Sequence, residues 1–239
     1  MNSRIKLSAR KVLSGSYVEI IPVLTAIIFL RLFFSLSRMA FYTVYPYSAC
    51  SVIIFFIVSF LLAVILISPM KLWLEIKHLS LAKRCKKREH IGLKYAAKSC
   101  LMSVSLMFLK FFWLLVFELV PAVSAIAFFS YLSVHPLSLR AVNTVFLGII
   151  LLAAAGIFFY FSAVQRYSAA MFYLACYENI GAFDAIKESV RKTKGKHGKT
   201  LIFKLGFLPW FLLCIGIAPA FFVIPYYKQS ITCRFLNDR

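Results

Sequence analysis

Long apolar runs flanked by basic residues constrain this chain more than any other feature. The clearest case lies near the C-terminus, where a lysine-rich segment at 192–199 leads directly into an apolar run at 201–224. An α-helix rises about 1.5 Å per residue, so about 20 residues cross a hydrocarbon core of roughly 30 Å. Hydrophobic residues make up 62% of the 239 residues, which exceeds what one soluble core of this size can bury. The sequence therefore predicts an integral membrane protein.

Five runs of this kind predict the fold class, an all-α polytopic transmembrane helix bundle in one domain covering residues 1–239. Each run is long enough to cross a bilayer core and carries few charges. The predicted spans cover residues 17–36, 51–70, 101–130, 142–164 and 201–224. The third apolar stretch is longer than one crossing needs but too short for two crossings and a turn. We therefore expect one crossing with an overhang.

The distribution of basic residues predicts the orientation of these spans. The N-terminal segment and the loops at 71–99 and 165–200 together carry 20 of the 28 lysines and arginines. Positively charged loops stay in the cytosol, so these three segments are predicted to be cytosolic in a plasma membrane. Five crossings then place the N-terminus in the cytosol and the C-terminus outside. If the last apolar run is re-entrant, the C-terminus lies inside instead.

The loop at 165–200 is also predicted to contain helix. Phe183, Ile186 and Val190 recur at helical spacing, whereas the charged side chains of the segment 182–192 face elsewhere. A helix with one apolar and one charged face lies in the plane of the membrane interface. We therefore expect amphipathic interfacial helices on the cytosolic side.

Two short basic stretches resemble each other. A Ser-x-Arg-Lys sequence begins at Ser8 and again at Ser189, and each is followed shortly by a glycine, Gly15 or Gly195. Basic segments before apolar runs produce such a similarity by chance, and an ancestral internal repeat is the alternative.

The net charge of +20 defines the expected partners. In a soluble protein this charge would suggest nucleic acid, but here the basic residues alternate with apolar runs, so nucleic acid is excluded as a partner. Basic loops beside a membrane attract anionic lipid headgroups. We expect the lipid bilayer with its anionic headgroups as a partner, with a membrane protein or an acidic cytosolic protein as a further one.

Three charged residues within the apolar runs are the candidate functional residues: Arg31, Lys110 and Glu118. Ionisable groups inside a membrane are costly and typically functional or paired. Arg31 lies about 21 Å along the first span and Glu118 about 25 Å along the third if that span starts near residue 101. Their similar depth predicts an ion pair, either as a structural clamp or as part of a polar path. Lys110 lies near the midplane or extends to the inner interface, depending on where the span begins.

Residue patterns for catalysis, metal binding or cofactor binding are weak. Glu75 and His78 have the spacing of two metal ligands on one helix face, but no second such pair is present. The six cysteines are scattered, and only Cys50 and Cys233 fall on the same predicted outer side, where a disulfide is one alternative. We predict no metal, no cofactor and no enzymatic activity.

The C-terminal third carries features of a known family. Trp210 is followed by two leucines, by Gly216 and by a closing Pro225 and Tyr226, after a basic turn with Gly195. In these features the region 167–236 resembles the bacterial integral-membrane family called domain of unknown function nine-seven-five. The resemblance implies a bacterial plasma-membrane protein and implies no activity.

Two functions follow from these observations. The first is a multi-span plasma-membrane protein that acts as a structural or interaction component. The alternative is a transporter of a small solute or lipid, which would use the intramembrane charges and a last span broken by Pro209 and Pro219.

Overall fold

The protein is helical throughout its described length. The computed structural model describes residues 2–44, 49–82, 92–135, 138–177, 179–213 and 217–237. Within these ranges the chain forms ten α-helices and one short 3-10 helix, Gln165–Tyr167, and no strand. The α-helices in chain order are α1 Asn2–Leu13, α2 Tyr17–Val44, α3 Ala49–Leu81, α4 Leu93–Val134, α5 Leu139–Val164, α6 Ala170–Cys176, α7 Ala182–Thr193, α8 His197–Leu205, α9 Leu208–Leu213 and α10 Ile217–Asn237.

Four helices in the described ranges are long and apolar enough to cross a membrane. They are Tyr17–Val44, Cys50–Leu81, Leu93–Val134 and Leu139–Cys176. The last of these includes α5, the 3-10 helix and α6. The first four predicted runs are therefore confirmed as helices, but the helices extend beyond the apolar runs. The longest, α4, has 42 residues and is about 63 Å long, roughly twice the thickness of a hydrocarbon core. The third apolar stretch is thus one continuous helix with a long overhang.

The fifth predicted span, 201–224, is divided, as expected from Pro209 and Pro219, but it is not among the described helices long and apolar enough to cross a membrane, so a fifth crossing is not confirmed. The segment is divided among α8, α9 and α10, and α8 ends at Leu205 with Gly206 as its C-cap residue. Pro209 and Pro219 lie in the first turns of α9 and α10. A proline has no N–H to donate, and the N–H groups of a first helical turn lack intrahelical partners anyway. The prolines therefore lie at the starts of two separate helices instead of bending one long helix.

The C-terminal helix returns to the N-terminal helix. Cys233 of α10 packs in one apolar cluster with Ile5 and Ala9 of α1 and with Phe203 and Phe207. The first and last helices therefore pack on each other, an arrangement not expected from five crossings with the C-terminus outside. The alternative in which the last apolar run turns back agrees with these contacts.

The two cysteines considered for a disulfide are not joined. Cys50 and Cys233 form no disulfide with each other, and Cys50 is exposed whereas Cys233 is buried. The predicted common location of these cysteines fails because α10 carries Cys233 to the face of α1.

Burial divides the molecule into two zones. The largest apolar cluster joins the C-terminal part of α3, around Leu72 and Leu79, to Met102 of α4 and to α6 and α7. By contrast, long stretches of α4 and α5, which pack on each other, expose aromatic and aliphatic side chains. We call the packed part the head. It is formed by α1, α6, α7, α8, α10, the C-terminal part of α3 and the N-terminal part of α4.

The predicted helix at 182–192 forms as α7, but its buried face differs from the expected one. Ala185, Ile186 and Ser189 are buried, whereas Phe183 is 57% exposed. The Ser189 hydroxyl donates to the Arg166 carbonyl oxygen at 2.7 Å and accepts from the Ala169 N–H at 3.2 Å. Small side chains and these hydrogen bonds let α7 pack closely on the neighbouring helices of the head.

The helices that carry the two basic stretches correspond in structure, one residue out of register with the Ser-x-Arg-Lys match. Both α1 and α7 have 12 residues, and their numbering differs by 180 at both ends. Each is followed by a glycine with positive φ, Gly15 at 93° and Gly195 at 75°, a conformation that favours glycine after a helix. The buried residues at equivalent positions are Ile5 and Ala185, Ala9 and Ser189, Leu13 and Thr193, Ile20 and Thr200, Val23 and Phe203, and Ile27 and Phe207. The segment from α7 to Phe207 therefore resembles the segment from α1 to Ile27 of α2.

Candidate functional site

A basic cavity lies where the long helices meet the head. Its volume is about 470 Å³, and its lining includes four cationic side chains and one carboxylate. The cations are Arg31 of α2, Lys71 of α3, Lys110 of α4 and Lys228 of α10, and the carboxylate is Glu75 of α3. The described lining of this cavity therefore carries an excess of three positive charges. Such a volume falls in the range of small-ligand sites.

The long α3 and the returning α10 together form the inner wall of this cavity. Lys71 and Glu75 lie four residues apart on α3 and so share one helix face. The Lys228 ammonium of α10 forms an ion pair with the Glu75 carboxylate. One residue further along α10, Gln229 Oε1 lies 2.7 Å from His78 Nδ1. These two adjacent contacts attach α10 to α3 and hold Lys228 at the cavity.

The remaining three cations have no partner in the described part of the chain. Arg31, Lys71 and Lys110 form no hydrogen bond or ion pair with any residue that the structure describes. Lys71 is close enough to Arg31, Lys110 and Lys228 for their charges to repel one another. Grouped cations outside bulk water are unfavourable unless an opposite charge accompanies them. The site therefore favours an anion.

Hydroxyl groups and apolar side chains complete the lining. Ser68 is buried, and Ser103, Tyr167 and Ser168 also line the cavity. The Tyr167 hydroxyl oxygen accepts a hydrogen bond from Trp113 Nε1 at 2.9 Å, so its own hydrogen remains available for donation. The apolar part of the lining consists of Phe60, Ala63, Val64, Ile67, Leu106, Met107 and Met171. The cavity can therefore hold a ligand that is anionic at one end and apolar at the other.

Two of the three candidate intramembrane charges meet in this cavity and the third does not. Arg31 and Lys110 both line it. Glu118 lies instead at the contact between α4 and α5, where its Oε1 atom has no hydrogen-bond partner in the described chain. The predicted pair of Arg31 and Glu118 is therefore not formed, because α4 turns Glu118 toward Gly156 of α5.

Comparison with known proteins decides the family. The family model described as "Protein of unknown function (DUF975)" matches residues 1–236. The chain belongs to the DUF975 family. The match covers nearly the whole chain, so the expectation that the resemblance lies mainly in the C-terminal third is corrected. No curated protein and no solved structure is significantly similar to this chain.

The family-like residues of this DUF975 chain lie outside the cavity lining. Trp210 of α9 is 50% exposed. Pro225 is fully buried inside α10, and the Tyr226 ring lies 5.6 Å from the Phe207 ring, measured between centroids. Gly216 lies outside the described residues. Pro225 and Tyr226 thus help to pack α10 against the segment before α9.

Sequence reasoning missed Lys71, Glu75 and Lys228 as site residues of this DUF975 chain. Lys71 and Glu75 were assigned to a loop at 71–99, and Lys228 was assigned to the opposite side of the membrane. Leu72, Ile76 and Leu79 continue the helical spacing beyond residue 70, and this signal predicts that α3 extends past its apolar run. No comparable signal identifies Lys228, because its position depends on the return of α10.

Metal binding is not supported by the described residues. No group of three or more histidine, cysteine, aspartate or glutamate side chains suited to a metal ion occurs among them. Glu75 and His78 instead bind the adjacent residues Lys228 and Gln229 of α10. Their spacing of three residues serves the packing of two helices.

Lys204 of α8 allows the effect of neighbouring positive charges to be measured. Its ammonium donates to Gln165 Oε1 at 2.6 Å. Burial, together with the positive charges of Lys228, Lys110 and Arg234, lowers the pKa of Lys204 to about 8.

The lowered pKa of Lys204 predicts how stability depends on pH. Between pH 8 and the ordinary value of 10.5, the unfolded chain binds more protons than the folded chain, so the free energy of unfolding rises with pH in that window. We expect a contribution on the order of 1 kcal/mol, allowing for partial solvent screening. Denaturant unfolding in detergent, repeated across this pH window, should show that the free energy of unfolding rises less steeply with pH in Lys204→Met than in the unsubstituted protein. The exposed Lys187→Met is the control, and equal slopes for both variants would contradict the prediction.

Proposed function

We propose that this protein is a four-span component of the bacterial plasma membrane that acts as a structural or interaction component without catalysing a reaction. Four helices long and apolar enough to cross a membrane support the membrane assignment. The single observation that carries the proposal is the division of the surface. Long stretches of α4 and α5 expose apolar side chains, whereas the head packs both chain ends together. Lipid covers the apolar zone in this proposal, and the head is free to bind partners.

The proposed orientation places the head in the cytosol. The head contains α1, with Arg4, Arg10 and Lys11 exposed, and the region around α7, with Lys192 and Lys194 exposed. Basic segments remain on the cytosolic side of a plasma membrane. With α10 on the same side, Lys228 and Arg234 join the basic residues of that face. The revised arrangement therefore agrees better with the charge distribution than five crossings do.

The basic surface of the head supports an acidic partner. Exposed lysines and arginines attract the anionic headgroups of the inner leaflet, at about 1 kcal/mol for each nearby residue. The same charges attract an acidic cytosolic protein or the cytosolic part of another membrane protein. Such attraction weakens as salt concentration rises.

The proposed function is tested by isolating the protein from its native membrane in mild detergent and identifying what accompanies it. We expect a protein partner to accompany it at constant stoichiometry at low salt concentration. The partner should dissociate at high salt concentration. A variant with Lys192→Gln, Lys194→Gln and Lys199→Gln should retain less of the partner. The control variant carries glutamine at three uncharged exposed positions, Ser14, Thr25 and Thr144. Isolation of the protein without any protein partner at both salt concentrations would contradict the proposal.

The cavity supports a second candidate, transport of an anionic solute or lipid. Its cationic lining and the division of the last apolar run into α8, α9 and α10 are both features that transporters use. Liposomes containing the purified protein should then take up a labelled anion, and Lys110→Gln should lower the initial rate. An uptake rate equal to that of protein-free liposomes would exclude this candidate for the anion used.

A further inference from the structure

We propose that the basic cavity binds one anionic phospholipid of the inner leaflet, with the lipid phosphate among Arg31, Lys71 and Lys110 and part of an acyl chain on the apolar wall. This site goes beyond the proposed function, because a structural or interaction component needs no such cavity. Unbalanced charge, a two-part lining and the position of the cavity all favour such a lipid.

The charge balance requires an anion that the described chain does not supply. Glu75 is the only carboxylate in the described lining, and it is already paired with Lys228. Arg31, Lys71 and Lys110 therefore face the cavity without a counter-charge. A phosphodiester accepts hydrogen bonds through several oxygens, and an arginine with two lysines is a set of donors that suits it. The phosphate group supplies the missing negative charge.

The apolar part of the lining distinguishes a lipid from a free ion. Phe60, Val64, Ile67, Leu106 and Met107 give the same cavity an apolar wall. Inorganic phosphate is small and has no apolar surface to bury, so it gains nothing from this wall. An acyl chain gains roughly 25 cal/mol for each Å² of apolar surface removed from water. The combination of charged and apolar surfaces therefore favours an amphiphile.

The position of the cavity fits a lipid headgroup. Arg31 and Lys110 belong to helices that are long and apolar enough to cross a membrane, whereas Lys228 and Glu75 belong to the contact between α10 and α3 at the head. The cavity thus lies at the boundary between the apolar helices and the head. Headgroups of the inner leaflet occupy this depth when the head is cytosolic, and anionic lipids are concentrated in that leaflet.

The test compares three ligands with the full-length protein in detergent. The ligands are dioleoyl phosphatidylglycerol, dioleoyl phosphatidylcholine and inorganic phosphate, and the measurements are lipid binding by native mass spectrometry and the shift in Tm. We expect one tightly bound phosphatidylglycerol and a raised Tm. Phosphatidylcholine should bind at least tenfold more weakly, because its choline cation meets the basic residues. Inorganic phosphate that raises Tm as much as phosphatidylglycerol would overturn the lipid assignment, and equal binding of the two lipids would overturn the anion site.

Variants connect this binding to the cavity. Lys71→Gln and Lys110→Gln should each weaken phosphatidylglycerol binding about fivefold, which is the contribution of one basic residue beside an anionic headgroup. Lys71→Arg keeps the charge and should retain most of the affinity. Lys187→Gln removes the same charge from the exposed face of α7 and should change the affinity less than twofold. Equal losses in Lys187→Gln and the cavity variants would overturn the proposal.

A variant that is expected to bind the lipid more tightly distinguishes a direct effect on binding from misfolding. Glu75→Gln removes the only described carboxylate of the lining and frees Lys228 to bind the phosphate. We expect it to bind phosphatidylglycerol severalfold more tightly, although the loss of the ion pair with Lys228 lowers the stability of the ligand-free protein. Damage to the fold would weaken binding, so a gain in affinity cannot result from damage. Unchanged or weaker binding in a variant that elutes as a single species would overturn the proposal.

Discussion

A fluorescent protein fused to the C-terminus of the full chain is expected to be fluorescent, and alkaline phosphatase at the same position is expected to be inactive. Both results correspond to a cytosolic C-terminus. The physical reason is the contact of α10 with α1 and α3, in which Cys233 packs near Ala9 and Lys228 pairs with Glu75. These contacts cannot form across a bilayer. We expect an all-or-none difference between the two reporters.

The control for this experiment is a pair of cysteine-labelling sites at opposite ends of α2. A variant with Ser14→Cys, before α2, should react with a membrane-impermeant maleimide only after the cells are opened. A variant with Thr43→Cys, at the far end of α2, should react in intact cells. Each is made in a chain whose native cysteines are replaced by serine or alanine. Active alkaline phosphatase at the C-terminus would show that α10 does not return and would restore the arrangement with five crossings.

Replacing Gly156 by alanine is expected to destabilise the contact between α4 and α5 by about 1 to 3 kcal/mol. A Cβ atom at this position would lie 2.8 Å from the Glu118 Oε1 atom and 2.8 Å from the Phe117 carbonyl oxygen. The carboxylate can move, but the backbone oxygen is held by α4, so the two helices must separate. Thermal unfolding in detergent, followed by circular dichroism, measures the effect.

Gly148 provides a matched control on the same helix. A Cβ atom at Gly148 meets no described atom within 4 Å, so Gly148→Ala introduces no clash. Alanine favours a helix by up to about 1 kcal/mol over glycine. We therefore expect Gly148→Ala to maintain or raise the stability while Gly156→Ala lowers it. Similar changes in both variants would show that helix propensity, and not the close approach at Gly156, determines the result.

The double variant Gly156→Ala with Glu118→Ala separates the two clashes. If the carboxylate caused the whole loss, removing it would restore the stability. We expect only partial recovery, because the Phe117 carbonyl oxygen remains 2.8 Å from the added Cβ. Glu118 Oε1 has no hydrogen-bond partner in the described chain, so Glu118→Ala alone should cost little stability and serves as the reference.

Much of the helical content could be predicted from the sequence. The first four apolar runs all become helices, and Phe183, Ile186 and Val190 correctly predicted that the segment of α7 is helical. These features are local, because apolar length and helical spacing act within one segment. The ends of α3 and α4 were predicted less well, since packing in the head continues both helices beyond the apolar runs. Hydropathy identifies where lipid is needed, and it does not mark where a helix stops.

The candidate site was predicted only in part, because its residues come from four separate helices. Arg31 and Lys110 were identified by their positions inside apolar runs, and both line the cavity. Glu118 was selected for the same reason but turns toward Gly156, since depth alone does not define the direction in which a side chain points. Lys71 and Lys228 were missed because one lies past the end of an apolar run and the other depends on the return of α10.

The sequence by itself determined that this chain is helical, has at least four segments able to cross a membrane and carries an excess of basic residues between them. Each of these properties depends on composition and spacing within a short segment. Only the tertiary structure decided where the last apolar run divides into α8, α9 and α10, that α10 packs on α1, and that four cations line one cavity. These properties depend on contacts between residues distant in sequence, such as Lys228 with Glu75. The pattern of residues within one segment does not predict such contacts.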